Sequence, residues 1–212
     1  MTIYNFGSIN LDHLYQVDHF VRPGETMAST QYQLLLGGKG ANQSIALAKA
    51  GADIKHVGAI NAANQDILDQ LAGLGVNTDL IAQVPEATGH AIIQLNKEAE
   101  NAIILFQGAN HALTESQVDS VLAQANADDW VLLQNETNLV VYTIERAHEL
   151  GIKVAFNPAP MDADLTRSVL SSVDLLIVNE VEAMDLMQVT SIDEAKQSLS
   201  ETYSDLAILM TL

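Results

Sequence analysis

GGKGANQSIALAKAGADIKHV, Gly37 to Val57, sets a glycine-rich turn, a run of helical period and a short apolar strand one after another. The glycines permit positive φ and close backbone approach. The spacing predicts a helix over Ala41–Ala50 and a strand over Ile54–Val57. Outward from this unit the same alternation continues. Further strands are expected at Ile3–Phe6, Trp130–Gln134, Lys153–Phe156, Leu175–Val178 and Leu206–Thr211. Helices are expected near Gln65–Leu74, Glu115–Gln124, Leu139–Leu150, Leu165–Leu170, Glu180–Met187 and Ile192–Tyr203. Such alternation implies parallel strands joined by crossovers, and so an α/β sheet covered on both faces.

Two segments depart from it. Thr26–Leu36 has strand-like patterning before any crossover helix, and His90–Leu95 and Ala102–Phe106 flank the polar turn NKEAEN as a hairpin. These pieces are expected to pair as a small lid sheet, with lid segments spanning roughly residues 14–36 and 88–107.

Composition narrows the function classes. Nine basic against 27 acidic residues give a formal charge of −18, which argues against a nucleic-acid partner. Solubility or a salty habitat accounts for the acidity, and an anionic nucleotide would need local help from lysine, helix N-termini or Mg²⁺. No run approaches the ~18 apolar residues of a membrane span, which excludes that kind of membrane partner. The N-terminus MTIYNFGSIN lacks a basic n-region and reads as a first strand. There are no cysteines for disulfides or thiolate metal sites. The expected location is the cytoplasm.

The glycine turn fails both nucleotide tests. A Walker A loop needs a glycine five positions before Gly38, where Gln33 stands, and Ser or Thr after Lys39, where Gly40 stands. A dinucleotide fingerprint needs a third glycine where Gln43 stands. What remains is a helix N-terminus with free N–H groups, flanked by Lys39 and Asn42 as side-chain donors. That set suits hydroxyl groups, and equally a capped turn.

Three more constellations lie at strand ends. In GSINLDH, Asn10 and Asp12 share a face of extended backbone, suiting a vicinal diol or an Asx-turn. In LLQNET, Glu136 follows an apolar strand, either facing the ligand crevice or serving as a first-turn acid of the next helix. In NEVE, Asn179 and Glu182 have capping-box spacing, and spacing alone favours the cap over a role near Mg²⁺ and phosphate. The six histidines are scattered and read as surface or packed residues.

Taken in order, GSINLDH, RPGET, GGKGANQSIALAKAG, TGHAIIQLNKEAENAIILFQGAN, LLQNE, FNPAP and NEVEA resemble the ribokinase-like (PfkB) family of carbohydrate kinases, from Ile3 to the end of the chain. The resemblance implies a doubly wound, mostly parallel α/β sheet with a small β lid that pairs two copies into a homodimer. It implies that Asn10, Asp12, Gly38, Lys39, Asn42 and Glu136 bind sugar hydroxyls, and that Asn179 and Glu182 organise Mg²⁺ and phosphate, the metal being held indirectly through Glu182. The implied reaction passes the ATP γ-phosphate to the primary hydroxyl of ribose, with a monovalent cation as a further cofactor whose site lies outside this chain.

The chain departs from the family in two respects. Its AINAANQD loop replaces a Gly-Asp-Asp type turn, which leaves the loop carboxylate absent or displaced to Asp66. Family members are also longer. The expectation is therefore an N-terminal two-thirds portion, with the anion hole and general base downstream, no catalytic residue within 1–212, and no turnover by the chain alone. Alternatives are a non-catalytic sugar-binding remnant, or a kinase for a nucleoside or another sugar. A nucleoside would call on stacking partners such as Phe106 and Tyr32, and a sugar phosphate on Arg22 or Lys97.

Overall fold

The computed structural model describes residues 1–211. In chain order its elements begin with β1 (Thr2–Phe6), β2 (Asn10–Gln16), β3 (Gln31–Gly37), α1 (Lys39–Lys49), β4 (Asp53–Asn61), α2 (Gln65–Gly73), β5 (Asn77–Val84), β6 (Gly89–Leu95) and β7 (Asn101–Phe106). A 3-10 turn at Gly108–His111 leads to α3 (Glu115–Leu122), β8 (Trp130–Gln134), α4 (Val140–Glu149), β9 (Lys153–Asn157) and α5 (Ala163–Val169). The chain continues through β10 (Leu175–Asn179), α6 (Glu180–Met187), α7 (Ile192–Thr202) and β11 (Ala207–Thr211).

Seven strands pair in parallel in the order β11-β10-β9-β8-β1-β4-β5. Consecutive crossovers run outward in both directions from β1, as in a doubly wound α/β fold. The second sheet has the order β3-β2-β6-β7; β2 and β6 run parallel and the outer pairs antiparallel. Every strand expected from patterning is present and the two irregular segments contribute to the separate small sheet, although Thr26–Leu36 becomes strand only from Gln31. The edge strand β5 and the full extent of β2 were not anticipated. In β5, NTDLIAQV buries only Ile81, so its sequence shows little of a strand's apolar signature.

The core sits mainly on one face of the large sheet. Tyr4, Phe6, Val131, Leu133, Val154 and Phe156 pack with Val118, Val121 and Leu122 of α3 and Ile144 and Ala147 of α4. Each such large apolar side chain contributes roughly 1.5–3 kcal/mol through burial. Leu176 and Val178 of β10 meet α6 and α7 on that face. On the opposite face, α1 and α2 cover β4 and β5 through Ala41, Ile67, Leu68 and Leu71.

Full coverage of both faces, expected from alternation, is not found. Beyond α1 an apolar groove of about 270 Å³ runs across Ile3, Trp130, Leu132, Ala155, Leu175 and Ile177. Every observed crossover after β8 returns on the other face, so among the described residues no helix follows α1 over this part of the sheet, and Leu47 of α1 forms one wall of the groove.

Helix α1 shows why the opening stretch folds as it does. It starts at Gly38, whose φ of 93° is open to glycine, and proceeds through Ala41, Ala46 and Ala48, strong helix formers. It stops in a Schellman motif: Gly51 (φ 86°) donates its N–H to Ala48 O at 3.0 Å, and Ala52 donates to Leu47 O at 3.0 Å. The chain then enters β4 beside β1.

Candidate functional site

The carboxyl end of β1 continues directly into the lid through Gly7, Ser8 and Ile9. The N-terminus of α1 is pressed against this turn. A Cβ on Gly40 would fall on Gly7 Cα, and one on Gly38 would lie 2.7 Å from Ser8 O. Ala41 N donates to Ser8 O at 2.9 Å, and Asn5 Nδ2, inside β1, donates to Gly40 O at 2.8 Å. Only glycine allows the helix end and the strand end to come this close.

Glu136 joins the same point from the end of β8. It is not an acid of the next helix, since α4 begins at Val140 with Leu139 as its uncapped N-terminal residue. Its carboxylate accepts hydrogen bonds from Ser8 Oγ and from Lys39 N, the latter at 3.0 Å. It also forms an ion pair with Lys39 Nζ at 3.0 Å, and its side chain is only 9% exposed. The negative charge lies at the positive end of the α1 dipole. Lys39, read from sequence as a free donor, is thus committed largely to Glu136.

Asn10 and Asp12 occupy one face of β2, so the Asx-turn alternative does not hold. The Asp12 carboxylate lies over Gly37 of β3, where a Cβ would overlap it. It accepts no hydrogen bond from the described residues. Burial pushes its carboxyl above the usual range and the Glu136 charge adds to this; His13 and Lys39 pull the other way. Asn10, 4% exposed, accepts from Asn110 Nδ2 at 2.7 Å through Oδ1, and its own Nδ2 has no partner among the described residues. Asn42, in the first turn of α1, is exposed, and its side chain has no hydrogen bond among those residues.

The structure therefore brings Asn10, Asp12, Gly38, Lys39, Asn42 and Glu136 to one corner, where lid, helix N-terminus and sheet edge meet. The result mixes an acceptor without donors (Asp12) with a donor without an acceptor (Asn10 Nδ2) and an amide free at both ends (Asn42). Groups that both donate and accept, as hydroxyls do, match such a set.

Asn179 and Glu182 lie apart from this corner, at the end of β10, two strands from β8. They form the expected capping box: Glu182 N donates to Asn179 Oδ1 at 2.8 Å and Asn179 N to Glu182 Oε2 at 2.9 Å. In the AINAANQD loop, Asp66 is exposed and forms no side-chain hydrogen bond among the described residues. The loop is held instead by one amide: Asn61 Oδ1 accepts from Ala63 N at 2.9 Å, and Asn61 Nδ2 donates to Pro85 O and Glu86 O. Tyr32 and Phe106 are on the lid face that carries His13 and His90, opposite the face of Asp12. They are not placed to stack on a ligand there. Lys97 pairs with Asp18 at 2.8 Å.

Sequence reading missed the layer behind the site. Asn5 Nδ2 also donates to Ser44 Oγ at 2.8 Å; Ser44 Oγ meets His56 Nδ1 at 2.8 Å, and His56 Nε2 meets Gly7 O at 3.1 Å. Gln134 Nε2 donates to Asn5 Oδ1 at 2.9 Å and to Gln43 Oε1 at 2.7 Å. The available signal was a polar residue inside an apolar strand, Asn5 in TIYNF and Gln134 in WVLLQ.

Among the described residues no helix is long and apolar enough to cross a membrane, and no cluster of three or more His, Cys, Asp or Glu could hold a metal. The model of the pfkB family of carbohydrate kinases matches residues 2–211. A ribokinase of Haemophilus influenzae is 39% identical over 198 residues, covering 91% of this chain. The chain spans 64% of the length of that relative. The structure of an Arabidopsis thaliana ribokinase complexed with ribose and ATP superposes with a TM-score of 0.81 at 26% identity, over 99% of this chain and 70% of the other. A Cryptococcus neoformans ribokinase in complex with ADP gives 0.78 at 32% identity, over 100% and 72%.

Proposed function

We propose that this chain, which belongs to the pfkB family of carbohydrate kinases, carries the sugar-binding part of a ribokinase-type phosphotransferase. The reaction is transfer of the ATP γ-phosphate to the primary hydroxyl of ribose, in the cytoplasm. The observation that carries the reading is the Asp12 carboxylate, with no donor among the described residues, beside the unpartnered Nδ2 of Asn10 on one strand face. The carboxylate accepts two O–H groups of a vicinal diol, and the amide donates to one of the same oxygens. Asn42 and the α1 N-terminus add donors, while Lys39 holds Glu136 and borders the site. The likeness to solved ribokinases with ribose, ATP or ADP supports the substrate pair.

Bound ATP supplies the transferring phosphoryl group. The capping box leaves the second Glu182 carboxylate oxygen without a hydrogen bond among the described residues, which fits an indirect hold on Mg²⁺ through water. No general base is assigned within residues 1–212. Phosphoryl transfer rests on positioning and charge stabilisation, and these residues serve the positioning of the sugar. A second copy is expected to pair with the exposed apolar lid.

Calorimetric titration with ribose tests the reading. The wild-type chain should bind ribose, and Asp12→Ala should weaken binding by about 1–3 kcal/mol, since sugar hydroxyls lose a buried acceptor. Unchanged affinity in the variant would refute the diol contact. Ribose binding without ATP-dependent ADP release would assign the chain sugar binding alone.

A further inference from the structure

We infer that Asn110 is a positioning residue that fixes the polarity of the candidate site by holding the Asn10 amide with its NH₂ toward the ligand. The inference rests on the sugar reading above and names a residue outside its contact set. Asn110 is in the 3-10 turn after β7 and is 3% exposed.

The orientation of a carboxamide is decided by its partners. Here the deciding partner has no freedom. Ile9 N–H, a backbone donor, bonds to Asn110 Oδ1 at 2.9 Å. Asn110 must therefore present Nδ2 on its other side, where it donates to Asn10 at 2.7 Å. The Asn10 atom in that contact must be Oδ1, and Nδ2 of Asn10 is left as the outward group. A backbone N–H is thus relayed through two buried amides into a side-chain donor beside Asp12. Gly89 makes room for the relay, since a Cβ there would overlap Asn110 Nδ2 and lie 2.5 Å from Asn10 Oδ1.

The consequence is chemical. With NH₂ outward, Asn10 and Asp12 form a donor beside an acceptor, which one hydroxyl can satisfy by accepting from the first and donating to the second. With the amide reversed, two acceptors would stand side by side. The site would then demand two separate donors and would leave the sugar oxygen without its own.

Asn110→Asp tests this with little change of shape. The new carboxylate still accepts from Ile9 N–H, yet has no donor for Asn10 Oδ1. Asn10 should then reverse and donate to it. Ribose affinity by calorimetry at pH 8 should fall about 10-fold or more. A second readout needs no ligand: amide-resolved NOE spectra of ¹⁵N-labelled protein. In the wild type the Asn110 side-chain NH₂ should show cross-peaks to Gly89 Hα, and in Asn110→Asp the Asn10 NH₂ should take them over.

Wild-type cross-peaks to Gly89 Hα that are stronger from the Asn10 NH₂ than from the Asn110 NH₂ would overturn the inference, as would variant affinity within about twofold of wild type. The wild-type spectrum decides the amide assignment even if the variant fails to fold. A wild-type chain with the expected cross-peaks but no ribose binding would overturn the sugar reading and leave the amide assignment standing.

Discussion

His56 shows what a single buried side chain does behind this site. It is fully buried in β4 between Ser44 Oγ and Gly7 O, and burial pushes its pKa down to about 4, the Gly7 carbonyl pulling slightly upward. The unfolded chain therefore takes up a proton at higher pH than the folded one. The stability linked to His56 is complete above the unfolded value near 6.5 and is lost progressively as pH falls from there toward 4. Between pH 7 and 5 this residue should cost about 2 kcal/mol of unfolding free energy. Urea titrations at both pH values should show that drop in the wild type, and a drop smaller by that amount in His56→Gln. Equal drops would mean that His56 is not the titrating group. The sequence allowed a surface or a packed histidine here. Only contacts to residues 12 and 49 positions away settle which.

At the scale of an element, the N-terminus of α1 is the part on which the site depends. The glycine turn announced a helix, but its first residue is Lys39, two positions before the expected Ala41, because Gly38 turns the chain at positive φ. Gly40→Ala would drive a methyl group into Gly7 Cα, separate α1 from β1 and pull Lys39 from Glu136. Overpacking of this kind costs roughly 1–3 kcal/mol, and ribose binding should weaken with it. Gly73→Ala, in α2, is the contrasting case, since its Cβ would meet nothing within 4 Å. That change should stabilise by about 0.4–1 kcal/mol through the unfolded chain. Thermal denaturation of the two variants should move in opposite directions, and a tolerated Gly40→Ala would show that the close approach is dispensable. The lid was legible as a hairpin plus a strand, because NKEAEN breaks two apolar runs. Its central strand β2 was legible only as the alternation of Asn10 and Asp12, since its side chains are mostly half-buried on both faces.

For the whole molecule, the lid exposes Tyr32, Leu34, Ile92, Ile104 and Phe106 on the face away from Asp12, with Ile104 65% exposed. If a second copy covers this face, Ile104→Glu should convert dimers to monomers in sedimentation velocity. Ile103→Glu, one residue away on the other face, should leave them paired. Monomeric wild type, or loss of pairing in Ile103→Glu alone, would refute that arrangement. The groove over Leu132, Ala155, Leu175 and Ile177 is a second apolar surface. Periodicity reports that a strand is apolar on both sides, not whether a helix covers each. By itself the sequence determined the strand–helix alternation, the separate lid, the glycine turn and the family, because these depend on neighbours within a few positions. The tertiary structure alone decided which polar groups are spent and which stay free. Glu136 is taken up by Ser8, 128 residues away, and Asn10 by Asn110, 100 residues away. Those pairings arise from strand order and helix docking, and no local pattern encodes them.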